Sequence, residues 1–117
     1  MLILIHLLTS GTPYILIYNI LLYSSRASIS LFQNGTMNGQ PLDTPCTSST
    51  LNLSSINIGG WSNDFTRTCY GGISSLIIYN SVLSTTDRQT LEGALAWKWW
   101  GNGNVLDVTH PYRSLSP

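Results

Sequence analysis

Charge is scarce in this chain. Of its 117 residues only 9% are Asp, Glu, Lys or Arg, and the formal net charge is zero. No basic field is available to neutralise phosphates, which argues against a nucleic-acid partner. Cysteine is sparser still: Cys46 and Cys69 allow one disulfide or two free thiols, and their spacing fits no metal site. No Gly-rich phosphate loop precedes a helix, no His/Cys cluster has zinc spacing, and no repeat of about 20–50 residues runs through the chain. Carboxylates are too few and too scattered for hydrolysis. Glycoside cleavage needs two of them about 5–10 Å apart. Asp43, Asp64, Asp87, Glu92 and Asp107 include no i, i+2 pair that a strand would place on one face. A non-enzymatic protein is the expectation, with a glycoside hydrolase fragment as the weaker rival.

The first 25 residues carry no Lys, Arg, Asp or Glu, yet the positive start of a signal peptide is missing from Met1–Leu8. Ser10, Gly11, Thr12 and Pro13 interrupt the apolar run before Tyr14–Tyr23 resumes it. A helical membrane span needs about 20 predominantly apolar residues without such a turn in the middle. Two buried strands joined by a turn are therefore expected, with a signal anchor as the competing reading.

What is present is β structure followed by one helix. The apolar fraction of 43% is ordinary for a globular domain, and the length suits a single one. Leu2–Leu8 and Tyr14–Tyr23 read as buried strands, the second covered on both faces. Ala27, Ile29 and Leu31 alternate with Ser28 and Ser30, and Asn34-Gly35 then offers the dipeptide that a two-residue type I′ hairpin turn prefers. Thr36–Gly39 is expected to return as the partner strand. Gln40–Thr50 reads as a polar loop, Leu51–Ile58 as another alternating strand, Trp61–Thr68 as an exposed loop and Ile73–Tyr79 as the last strand. A helix then starts at Ser84, the N-cap, with Asp87 three residues on in a weak capping box. Leu91, Leu95 and Trp99, with Ala94 beside them, form its apolar stripe. Lys98 suits its last turn, and Gly101 stops it.

This order of signals resembles the laminin G-like and pentraxin-like domains of the concanavalin A-like lectin/glucanase superfamily. The strings that carry it are SLFQNGTMNGQ, LNLSSINIGG, YGGISSLIIYNSVLS and DRQTLEGALAWKW, then a final His-Pro-Tyr. The helix segment IIYNSVLSTTDRQTLEGALAWKW is the specific part, and the similarity covers roughly residues 14–112. Trp100 ahead of Gly101, and the polar run Asn102–Asp107, depart from the family pattern. The resemblance implies an all-β, concanavalin A-like jelly-roll sandwich with one short C-terminal α-helix. Such sandwiches have about a dozen strands, and this chain offers about seven. Residues 1–117 are expected to be a single domain, either the C-terminal portion of a larger, truncated module or an unusually small sandwich.

Sugar recognition needs flat aromatic faces together with fixed amide, carboxylate and guanidinium groups. Trp61, Asn63, Asp64, Arg67 and Tyr70, with Phe65, supply that mixture on one loop. The plainer alternative folds Trp61 and Phe65 onto the sheet edge and leaves the polar groups wet. Asp64 and Asn63 would also offer oxygens to calcium, as loops of related domains do. A Cys46–Cys69 bridge would need the Gln40–Thr50 loop to fold back over the following hairpin, because Cys69 would lie opposite roughly residue 60. His6 and His110 read as packing residues, the latter by the family resemblance. Trp97, Trp99 and Trp100 read as core or helix-end packing, with Trp100 the candidate for exposure. Asn34-Gly35-Thr36 and Asn52-Leu53-Ser54 match the glycosylation sequon; chance is the default reading for a tight turn and a strand, and the matches count only in a secreting eukaryote or its virus. The implied partner is a glycan or glycoprotein, or other subunits of an assembly, in an extracellular, cell-surface or virion setting.

Overall fold

The long apolar runs at the start of the chain become the strands of one antiparallel sheet. The computed structural model describes residues 2–9, 12–23, 26–45, 60–61, 64–68 and 72–117. Leu2–Thr9 (β1) and Thr12–Tyr23 (β2) pair from Leu2↔Asn19 to Thr9↔Thr12. The region expected to be either two strands or a membrane anchor is thus a hairpin, and among the described residues no helix is long and apolar enough to cross a membrane. Arg26–Gln33 (β3) pairs with β2. Beyond β3 its edge is shared by two short strands, Thr36–Met37 (β4) and Leu42–Pro45 (β5). The expected return strand over residues 36–39 is therefore only two residues long, and β5 lies inside the segment read as a polar loop. Arg26 and Asp43 pair at 3.0 Å across that second junction.

Gly72–Tyr79 (β8) comes back to pair with β1, giving the order β4-β3-β2-β1-β8 with β5 also on β3. Gly60–Trp61 (β6) and Asp64–Thr68 (β7) form a separate two-stranded ribbon where an open loop was expected. The candidate strand at residues 51–58 lies outside the described residues. A second packed sheet, the other half of a jelly-roll sandwich, is not found among the described residues.

Both faces of the large sheet carry apolar residues. Directly paired residues share a face, so Ile17 with Phe32, and Ile15 two residues along, look one way. Ile15 and Ile17 are fully buried there, with Ile77 and Tyr79 of β8 packed against the same core. The opposite face carries Leu16, Tyr18 and Ile20 of β2, Ala27, Ile29 and Leu31 of β3, and Leu76 and Ile78 of β8. Ala27 is buried on that side, the others are half-buried, and Ile78 is exposed.

Thr85–Trp100 (α1) covers the first face. Ser84 caps it as expected, its hydroxyl accepting from Asp87 N–H at 3.1 Å. Gly101 ends it in the left-handed conformation, returning its N–H to the Trp97 carbonyl. The expected stripe is met in part. Leu95 and Ala96 are buried, Leu91 and Trp100 pack against the core, Ala94 is exposed, and Trp99 is 41% exposed. The roles of Trp99 and Trp100 are thus exchanged, although Trp99 still reaches the sheet, where its Nε1 donates to Ser75 Oγ at 3.2 Å.

The reason is that the helix packs on two sides. At about 100° per residue, Arg88, Leu91, Leu95 and Trp99 fall within an arc of about 80°, while Thr90, Gly93 and Trp97 fall opposite. The first arc meets the sheet, with Arg88 over the Phe32 ring. The second meets the C-terminal coil at Tyr112. Leu106 from that coil, with 2% of its surface exposed, completes the core of Ile15, Ile17, Leu95 and Ala96. Each large apolar side chain buried in this way contributes about 2 kcal/mol.

Candidate functional site

Of the residues expected to bind sugar, Trp61, Asp64 and Arg67 fall on the β6–β7 ribbon, where Trp61 is the direct cross-strand partner of Asp64. Asn63, Tyr70, Cys46 and Cys69 lie outside the described residues, as does Asn52. The described residues include no cluster of three His, Cys, Asp or Glu able to hold a metal ion.

Among the described residues, a dense set of bonds lies elsewhere, where the Asn-Gly hairpin meets the terminal coil. Asn34 (φ 53°) and Gly35 (φ 90°) both adopt the positive φ that a type I′ turn requires. Asn34 then does more than turn the chain. Its N–H donates to the Ile15 carbonyl at 2.9 Å, and its Oδ1 accepts from Ile15 N–H at 2.9 Å. Its own carbonyl accepts from Asp107 N–H at 2.9 Å. One residue thereby joins β2, the hairpin and the coil. Gly35 has a second reason to lack a side chain, since an added Cβ would sit 2.6 Å from Cδ2 of His110.

Below His110 lies a buried polar triad. Glu92 is fully buried, and its two carboxylate oxygens accept from Nη1 of Arg88 at 2.6 and 2.8 Å. His110 Nε2 stands 3.0 Å from Glu92 Oε2. Nδ1 of the same ring accepts the Tyr112 N–H at 3.2 Å. With Nδ1 occupied as an acceptor, the ring proton belongs on Nε2, where it donates to Glu92. Both Glu92 oxygens and both His110 ring nitrogens are therefore matched inside the protein, as burial demands, and Arg88 spends its Nη1 on the carboxylate. Its chemistry is that of a structural clasp. His110 has the packing role expected of it, and no sequence signal marked Arg88 and Glu92 as its partners.

The coil around the clasp is similarly bound. Tyr112 lies against Gly93, where an added Cβ would come within 2.5 Å of it. Its carbonyl accepts from Trp97 Nε1 at 3.0 Å, and its hydroxyl lies 3.2 Å from Thr90 Oγ1. Arg113 donates to the carbonyls of Leu106 and Asn104. Asp107 turns the coil: the Thr109 hydroxyl, then the Thr109 N–H, with smaller help from Thr36 and Val108, hold its carboxyl below the ordinary value. Asp107 and Asp87 thus serve a turn and a cap. Asp87 accepts from the Ser84 hydroxyl at 2.6 Å in the capping box.

Outside the hairpin tip is an open depression of about 250 Å³ lined by Gln33, Asn34, Thr36, Met37 and Asn38. Sequence reasoning placed these residues in a hairpin and passed over them as a site. The available signal was the run Gln-Asn-Gly-Thr-Met-Asn itself, which concentrates three amides around a rigid turn.

With this geometry in hand, the chain was compared with known proteins. No family model, curated protein or solved structure matches it.

Proposed function

We propose that the chain is a non-catalytic carbohydrate-binding or adhesion module, built on a concanavalin A-like jelly roll and working in an extracellular, cell-surface or virion setting. The observation that carries the reading is the direct pairing of Trp61 with Asp64 on an extended ribbon. It puts an aromatic and an acidic residue type at facing positions of the backbone register, and sugar recognition draws on both types. Calcium held by Asp64 and Asn63, and a bridge between Cys46 and Cys69, belong to the same reading. The sandwich is supported by the apolar residues on both faces of the main sheet, since an antiparallel sheet that faces water alternates with polar residues on one side.

The test is a glycan array probed with the wild-type protein and with Trp61→Ala. Binding by the wild type and a loss of tenfold or more in the variant are expected. Undiminished binding by the variant would remove Trp61 from the site.

A structural module that binds protein within a larger assembly is the second reading. The exposed Ile78, on a sheet face rich in apolar residues, favours it. Retained assembly with no sugar binding would establish it over the first.

A further inference from the structure

We infer that the depression at the hairpin tip is a second sugar site, and that it takes uncharged rather than acidic glycans. The inference rests on the carbohydrate-binding reading and adds to it a place and a ligand class.

Asn38 Nδ2 donates to Gln33 Oε1 at 3.4 Å. This leaves the Gln33 NH₂ as a donor and the Asn38 carbonyl as an acceptor, side by side. Exchanging the two amide orientations would still leave one donor beside one acceptor. Adjacent hydroxyls of a sugar ring, each able to donate and accept, match such a pair. Asn34 adds its own NH₂, because its Oδ1 is already committed to Ile15 N–H. Met37, 43% exposed, supplies the apolar contact that a ring's C–H face needs.

The lining also dictates charge. It contains no Lys, Arg, Asp or Glu. Asp107 adjoins it through Thr36 and is held in its ionised form by Thr109 and Thr36. A sulfated or sialylated sugar would surrender its hydration here with no cation to replace it, and would face a carboxylate of its own sign. A neutral ring suffers neither loss. The volume of about 250 Å³ is small against clefts of about 300–1,000 Å³ that enclose whole ligands, so it suits one ring of a longer glycan.

Preorganisation is the last ingredient. The turn is held by the three Asn34 backbone and side-chain bonds and is backed by the His110 ring against Gly35. A ligand therefore meets groups whose positions are already fixed, which removes part of the ordering cost of binding.

The experiment uses galactose-, glucose- and mannose-terminated oligosaccharides and their sulfated or sialylated counterparts. They are titrated against the wild-type chain, Gln33→Ala/Asn38→Ala and Trp61→Ala. Both amide positions are on the surface of the hairpin, and circular dichroism checks that the double variant keeps its fold. Neutral probes are expected to bind the wild type, and the double variant to lose tenfold or more while a Met37→Asp variant loses binding as well. Binding that is insensitive to both variants yet lost in Trp61→Ala overturns the second site and leaves the carbohydrate reading intact. Preference for the acidic probes overturns the charge assignment. Failure of every probe on the wild type overturns both readings together.

Discussion

The two faces of the main sheet are built on opposite plans. One buries Ile15, Ile17 and Phe32 beneath a helix and encloses an Arg–Glu–His triad beside them. The other offers Leu16, Tyr18, Ile20, Ile29, Leu31 and Leu76 at half burial. An aliphatic surface is tolerant, because the hydrophobic effect is non-directional and accepts any apolar cover of fitting shape. A buried triad accepts only one arrangement. Here it admits one placement of the coil, with His110 over Gly35 and Tyr112 over Gly93. Specificity of docking thus sits on one face and adaptability on the other.

Replacing Glu92 tests that contrast most severely. Glu92→Ala leaves the Arg88 charge and the His110 N–H buried without acceptors, and a cost of about 3–5 kcal/mol is expected in urea unfolding. Ile78→Ser on the opposite face, where the side chain is 42% exposed, should cost less than about 0.5 kcal/mol. Similar losses for the two would show that the faces do not differ as described.

Gly93→Ala probes the same clasp by crowding it. The new methyl must displace Tyr112, and overpacking of this kind costs about 1–3 kcal/mol. The helix itself gains up to about 1 kcal/mol from the alanine, so a variant more stable than wild type would mean that the coil gives way freely.

The smallest effect concerns acid. The folded-state value of Asp107 is lowered, so its contribution is present above the ordinary carboxylate value of about 3.9 and fades as pH falls through the lowered value. Asp107→Asn should flatten that part of the stability profile measured by unfolding between pH 2 and pH 6 (about two units either side of the ordinary value). An unchanged profile would remove Asp107 from the coil's acid response.

The same comparison explains what could be read from the sequence. Features fixed by a few neighbouring residues were legible. The Asn34-Gly35 turn follows from local φ demands, and Ser84 and Gly101 bound the helix through bonds within four residues of themselves. Leu2–Tyr23 divided into two strands because the interruption at residues 10–13 is local as well. Features that depend on distant segments were not legible. Arg88 and Glu92 look like a solvated i, i+4 pair until Phe32 and His110 arrive from elsewhere in the chain. The exchange of Trp99 and Trp100 arises because a one-stripe pattern assumes a single packing surface and α1 has two. Likewise, β8 pairs with β1 across some 70 residues of chain, a choice that alternation within β8 cannot express. Of the expected sugar site, the pairing of Trp61 with Asp64 emerged only with the ribbon's register.

Asn34 has a broader mechanical meaning. Its three bonds, two to Ile15 and one to Asp107, make it a knot tying an interior strand, a surface corner and the trailing coil into one piece. Strain applied at any of the three is shared at once by the other two, so whatever grips the corner also pulls on the seam that keeps the helix seated.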